Sequence, residues 1–151
     1  MILGEHMTRA LRNLMAAGLV LIASGCGQVG APVTVEDPWA NATPEGATVA
    51  AVYLKITTRQ ADTLLSATTT VADHIEMHTN SEHDGMMHMR QLPNVPLEAG
   101  KPFTFAPGGA HFMLVDLRQP LTAGLRFPMT LEFQHAPAQT VQVQVVELGS
   151  R

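Results

Sequence analysis

The chain has 151 residues, a net charge of −4 and a single cysteine, which bounds it to one domain behind any targeting segment. No basic cluster appears, which speaks against a nucleic-acid partner. One cysteine cannot close an internal disulfide, so the domain must be held by its core.

The N-terminal part reads as an export signal. Arg9 and Arg12 supply positive charge, Leu14 to Ala23 form an apolar run, and Ser24-Gly25-Cys26 follow. Charge, apolar stretch and small residues in that order mark a secretory signal. The run is shorter than the about 20 apolar residues of an ordinary membrane span. Ala23-Ser24-Gly25-Cys26 resembles a bacterial lipobox, in which the cysteine becomes the lipidated first residue; it departs from the usual pattern at Ala23, where Leu is preferred. The expected organisation is therefore a signal peptide over 1–25, Cys26 as the first mature residue, a linker over 26–32, a β-domain over 33–148 and a short tail over 149–151. The protein is expected to be exported to the periplasm or cell envelope, attached to the membrane by a lipid on Cys26.

Beyond the linker, helical periodicity is hard to find. Short runs rich in Val, Thr, Leu and Phe alternate with Gly, Pro and Asn, which predicts strands. They are Val33–Glu36, Thr48–Thr57, Thr63–Thr69, Asp73–His78, Met86–Gln91, Pro102–Phe105, His111–Asp116, Arg126–Phe133 and Thr140–Glu147. In the last, Val141, Val143 and Val145 alternate with Gln142 and Gln144, as a half-buried strand requires. Many short strands separated by turn signals predict an all-β antiparallel sandwich or barrel. Pro107-Gly108-Gly109 stops one strand and can re-aim the next, which opens on His111.

Of nine Met and seven His in the chain, five of each fall between His74 and Met113. A generic β-domain has no packing reason for this concentration, because core Met would be scattered. Residues i and i+2 of a strand share a face, so His111 and Met113 project together. A hairpin over Asp73–Gln91 with its centre near His83 and Asp84 places His78 opposite Met89, about 4.5–5.5 Å away. Two imidazoles and two thioethers then converge from three strands. Thioether sulfur is soft and uncharged and favours Cu(I) over hard ions. Structural zinc seldom uses Met, and a blue-copper site needs a cysteine thiolate, which is absent beyond Cys26. His74 and His78 would stand about 13 Å apart on a strand, too far to share an ion. His83 and His88, with Asp84, form a weaker candidate for a second ion; solvated loop histidines are the commoner case. Met77 and Met86 are expected to face away and pack in the core. Met87 shares a face with Met89 as a reserve ligand, and His135 is expected at the surface.

The spacing His78, ten residues, Met89, twenty-one residues, His111-Phe112-Met113 resembles the His-x10-Met-x21-His-x-Met signature of the PCu(A)C copper chaperone family. The resemblance extends over Glu36-Asp37-Pro38-Trp39-Ala40, Ala50-Ala51-Val52-Tyr53-Leu54, Ile75-Glu76-Met77-His78 and Pro107-Gly108-Gly109-Ala110-His111, and closes on Leu131-Glu132-Phe133. It implies a cupredoxin-like Greek-key β-barrel or sandwich. It also implies a periplasmic Cu(I) chaperone, with His78, Met89, His111 and Met113 as ligands, acting as a monomer. The implied acceptor is the Cu(A)-containing subunit of cytochrome c oxidase, served alongside a Sco-type thiol protein. Copper buffering or tolerance without a dedicated acceptor is the alternative. Some relatives carry a His- and Met-rich C-terminal tail; Val145–Arg151 contain neither residue, so tail-borne copper is not expected. No activated nucleophile or paired carboxylates stand out, so the chain is expected to bind and deliver, not to catalyse.

Overall fold

The computed structural model describes residues 32–151; the predicted signal peptide, Cys26 and the linker up to residue 31 lie outside the described residues. Ten strands follow in chain order: β1 Val33–Asn41, β2 Val49–Thr58, β3 Asp62–Thr69, β4 Ala72–His83, β5 Met86–Gln91, β6 Val95–Leu97, β7 Phe103–Phe105, β8 His111–Leu117, β9 Arg126–Phe133 and β10 Gln139–Val146. The described residues contain no helix, as the sequence predicts.

The strands form one sheet in the order β5-β4-β8-β2-β1-β10-β9-β3-β6, with β7 beside β2. β1 lies parallel to β10. The connections force this sheet to fold over on itself. β3 and β4 belong to opposite ends of the order, yet only Thr70 and Val71 join them. β5 and β6 are the two ends themselves, joined by Leu92, Pro93 and Asn94. The two halves must therefore face each other, with one side of every strand turned inward. Period-two alternation supplies that side. Val52, Leu54 and Ile56 of β2, Phe112 and Leu114 of β8, and Val143 and Val145 of β10 are buried.

Three elements differ from the sequence-based expectation. β1 continues through Asp37-Pro38, because Asp37 adopts a positive φ of 48° and the β1–β2 register shifts between Glu36 and Trp39. That is a bulge, which bends a strand without ending it. β6 was not expected, since Pro96 interrupts it; it is a three-residue strand at the sheet edge, where proline is tolerated. β4 runs to His83 rather than ending at His78.

Asp62 ties the loop after β9 to the start of β3. Its carboxylate accepts backbone N–H bonds from Thr63 (2.7 Å), His135 (3.0 Å) and Ala136 (2.8 Å), and lies 3.2 Å from Nδ1 of His135. The His135 side chain itself is exposed. Burial pushes the Asp62 carboxyl up, but the backbone hydrogen bonds from Ala136, Thr63 and His135 outweigh it and hold it below its ordinary value. A depressed folded-state value means stability that is present above the unfolded carboxylate range and lost as pH falls through the folded value. Asp62→Asn is therefore expected to destabilise the domain by about 1–3 kcal/mol at neutral pH. Urea unfolding of both proteins from pH 7 downwards checks this. The difference should shrink below about pH 4, the unfolded carboxylate range, and a difference constant with pH would exclude the charge as its cause.

Candidate metal centre

The hairpin β4–β5 turns on Asp84-Gly85, whose φ values are 52° and 73°. Positive φ at both central residues is the two-residue type I′ geometry. This sets the register: His83 pairs with Met86, Ser81 with His88, Asn80 with Met89 and His78 with Gln91. The expectation that Met89 stands directly opposite His78 is thus corrected. The turn is centred one residue further on, so Met89 lies diagonal to His78. The shift is by two along the partner strand, which preserves the face. A diagonal neighbour is about 7–8 Å away, still within reach of a long side chain.

On the other side of β4, His78 pairs directly with His111 and Glu76 with Met113. The inner face of this ladder pairs Met77 with Phe112 and Ile75 with Leu114. Met77 and Phe112 are buried, so the histidines lie on the opposite face of the sheet, where neighbours still cover them: His111 is 8% exposed and the His78 side chain 13%. His78 and His111 have ring centroids 5.9 Å apart at an interplanar angle of 51°. A metal–imidazole bond of about 2 Å places each ring centroid roughly 3.2 Å from the ion, so two rings sharing one ion stand at most about 6.4 Å apart. The observed spacing lies within that limit.

The protonation pattern suits the same end. Nδ1 of His111 lies 3.1 Å from the Gly109 carbonyl oxygen. A carbonyl only accepts, so Nδ1 donates and Nε2 of the neutral ring keeps its lone pair. The Pro107-Gly108-Gly109 turn, with Gly108 at φ 80°, brings that carbonyl into place; it also accepts from Asn80 N at 3.3 Å. Nε2 of His78 lies 2.8 Å from Oε2 of Glu76, so Nε2 donates and Nδ1 carries the lone pair. That Nδ1 is buried and has no hydrogen-bond partner among the described residues. Each imidazole therefore has one nitrogen tied and one left as a donor atom, the usual arrangement behind metal-bound histidine.

The two thioethers flank this pair. Met113 follows His111 by two residues on β8, half-buried beside Ala51 of β2. Met89 lies on β5, the edge strand, and is 55% exposed. Met87 shares its face one step further out, opposite Glu82. Met77 packs in the core as expected, but Met86 does not: it is 60% exposed, because the hairpin projects past the second layer. His74 and His78 lie on one strand with Glu76 between them. Sequence reasoning missed Glu76 and the Gly109 carbonyl. Glu76 was findable, since it stands two residues from His78 and so shares its face; a backbone carbonyl has no sequence signal beyond the glycine turn. Beyond β8 on the outer face, the Trp39 and Tyr53 rings pack with centroids 4.7 Å apart, tilted by 41°, and burial pushes the Tyr53 phenol up, keeping it neutral.

An all-β sheet folded over on itself, with imidazole and thioether groups gathered on one outer face, is a cupredoxin-like fold. Its solved relatives agree. The chain is similar to the copper-bound PCuAC domain from PmoF2, with 25% identity over 77% of this chain and 93% of that one, at a TM-score of 0.66. It is similar also to CuI-DR1885 from Deinococcus radiodurans, solved in solution, with 28% identity over 84% of this chain and 87% of that one, at a TM-score of 0.65. The chain belongs to the family described as "Putative lipoprotein LpqE-like", whose model matches residues 33–145. A relative in Leifsonia xyli subsp. xyli (strain CTCB07), described as "Putative lipoprotein Lxx21020", is 29% identical over 154 residues, spanning 94% of this chain and 93% of that protein.

Two measurements check this geometry without metal. Long-range proton–nitrogen spectra at about pH 8, above the ordinary histidine range, should show His78 protonated on Nε2 and His111 on Nδ1; the reverse tautomer at either ring would overturn the assignment. Met129 is fully buried, so Met129→Ala should cost about 2–5 kcal/mol. Met113→Ala, on the outer face, should cost clearly less in the same thermal unfolding experiment.

Proposed function

We propose that this protein is an exported Cu(I) carrier that holds one ion through His78, Met89, His111 and Met113 and passes it towards the Cu(A) centre of cytochrome c oxidase. The observation that carries the reading is the outward pair His78 and His111, each with one ring nitrogen tied by a neighbour and the other kept as a lone-pair donor. Two thioethers on the same face bias the set towards a soft monovalent ion. Similarity to PCuAC domains described as copper-bound or Cu(I)-loaded supports it. The family's lipoprotein description supports a lipid on Cys26 and attachment to the cell envelope. A carrier must release what it holds. Neutral donors near a surface suit that, because a thiolate-rich acceptor or a Sco-type thiol protein can outcompete them. None of the proposed donors is an activated nucleophile, and the role is binding and delivery, not catalysis.

Competition with a Cu(I) chelator tests the site. The protein should retain Cu(I) far better than Zn²⁺, and equal or tighter retention of zinc would refute the ligand set. His78→Ala, Met89→Ala, His111→Ala and Met113→Ala should each weaken Cu(I) binding with the fold intact. Glu76→Ala should weaken it by roughly 10–100-fold, the usual cost of losing a group that orients a metal-bound histidine. Glu76→Gln, which can still accept from Nε2, should recover part of that loss.

Delivery has its own test. The copper-loaded protein is mixed with a purified soluble Cu(A) fragment, and the acceptor's absorption is followed. Growth of the Cu(A) bands with matching loss from the carrier is expected. Retention of all copper by the carrier, with or without a Sco-type protein, would favour copper buffering over delivery.

A further inference from the structure

The β4–β5 arm has a second face that the proposed site does not use. All six residues of β5 are exposed, and three are methionines: Met86 at 60%, Met87 at 60% and Met89 at 55%. Edge strands normally carry charge, and methionine earns its place by filling cores; here there is no core to fill. The alternation of the strand sorts these residues. Met87 and Met89 share the face of His78. Met86 and His88 lie on the other, with Met86 paired to His83 and His88 paired to Ser81.

Met86 and His88 stand two residues apart on a strand, as do His111 and Met113. Each pair sets one thioether and one imidazole side by side on a common face. The type I′ turn at Asp84-Gly85 fixes the register, so the backbone position of His83 falls directly opposite Met86. Neighbours at i and i+2 stand about 6.6 Å apart, within the span of two side chains meeting one ion. Imidazole and thioether together select a soft monovalent ion over Zn²⁺, Mg²⁺ or Ca²⁺.

We infer that the reverse face of this arm is a second Cu(I) site, built on Met86 and His88. It is weaker than the first, because its strand is exposed and lies at the sheet edge, with a neighbour on one side only among the described residues. Such a site loads and unloads readily, and it gives each chain a capacity of two ions. The argument uses none of the four residues of the first site.

The test is anaerobic Cu(I) titration of the protein, followed by histidine ring and methionine methyl resonances. Two equivalents are expected, the second displaced by a weaker chelator than the first. The second should move the Met86 methyl and the His88 ring and leave Met113 unchanged. A Met86→Ala/His88→Ala double variant should bind one equivalent with the first affinity intact. A His111→Ala/Met113→Ala double variant should lose the tight equivalent and keep the weak one, so the two sites fail separately. A single equivalent in the unaltered protein would overturn the inference. So would two equivalents surviving in the Met86→Ala/His88→Ala variant, or a second equivalent that moves Met87 and Met89 instead.

Discussion

The pairing of β4 with β8 is the joint on which the rest depends. It is specified from the inside. Met77 opposite Phe112 and Ile75 opposite Leu114 present their side chains to the core, and Phe112 stacks on Phe105 with ring centroids 4.2 Å apart. Burying one such side chain is worth about 1.5–3 kcal/mol. A slip of one residue would turn all of them away from the core and put the histidines into it in their place. The same alternation that hides Phe112 therefore presents His111 and Met113 on the outer face. Core packing fixes where the polar donors stand, and the donors need contribute nothing to folding.

A second constraint acts on the rings. A free imidazole can protonate either nitrogen, and a metal donor must offer a particular one. Glu76 settles the choice for His78, and the Gly109 carbonyl settles it for His111. Both partners are local. Glu76 lies one strand repeat before His78, and Gly109 lies just before the strand that His111 opens. The cost is a buried Nδ1 on His78 without a partner. An unpaired buried acceptor costs about 1–3 kcal/mol. That penalty vanishes if an ion occupies the position, which turns a structural deficit into affinity for the proposed cargo.

Much of this was legible in the sequence because strand alternation is a short-range signal. Val141, Val143 and Val145 marked β10, and His111-Phe112-Met113 marked the outward pair. The bounds of β5 and β9 follow from their flanking turns. What failed was register. The hairpin over Asp73–Gln91 forms, but a centre near His83 and Asp84 is one residue early and puts His78 opposite Met89 instead of Gln91. Pattern fixes the face of a residue, whereas turn geometry fixes its partner, and only the former is written in the period. Met86 failed for a different reason. Alternation says that it faces away from Met89, but it cannot say whether anything lies on that side. The arm extends past the opposing layer, so the inward face of β5 meets solvent. β6 and the far half of β1 were hidden by Pro96 and Asp37-Pro38, where an edge position and a bulge make proline permissible.

The four proposed ligands are unequally held, and this bears on release. His78 and His111 sit on paired strands over a packed core, and Met113 is half-buried on β8. Met89 alone stands on an edge strand whose every residue is exposed. Local opening requires the least energy where few apolar contacts must be broken, and β5 has almost none to break. In the proposed site, the ion would therefore lose Met89 first, remaining on two imidazoles and one thioether. The vacated side is the outer edge of the sheet, with no strand beyond it among the described residues to block an approaching donor. An acceptor thiolate could enter there before the remaining bonds break, so that exchange proceeds without a free ion. A site enclosed on all sides by core strands would offer no such entry.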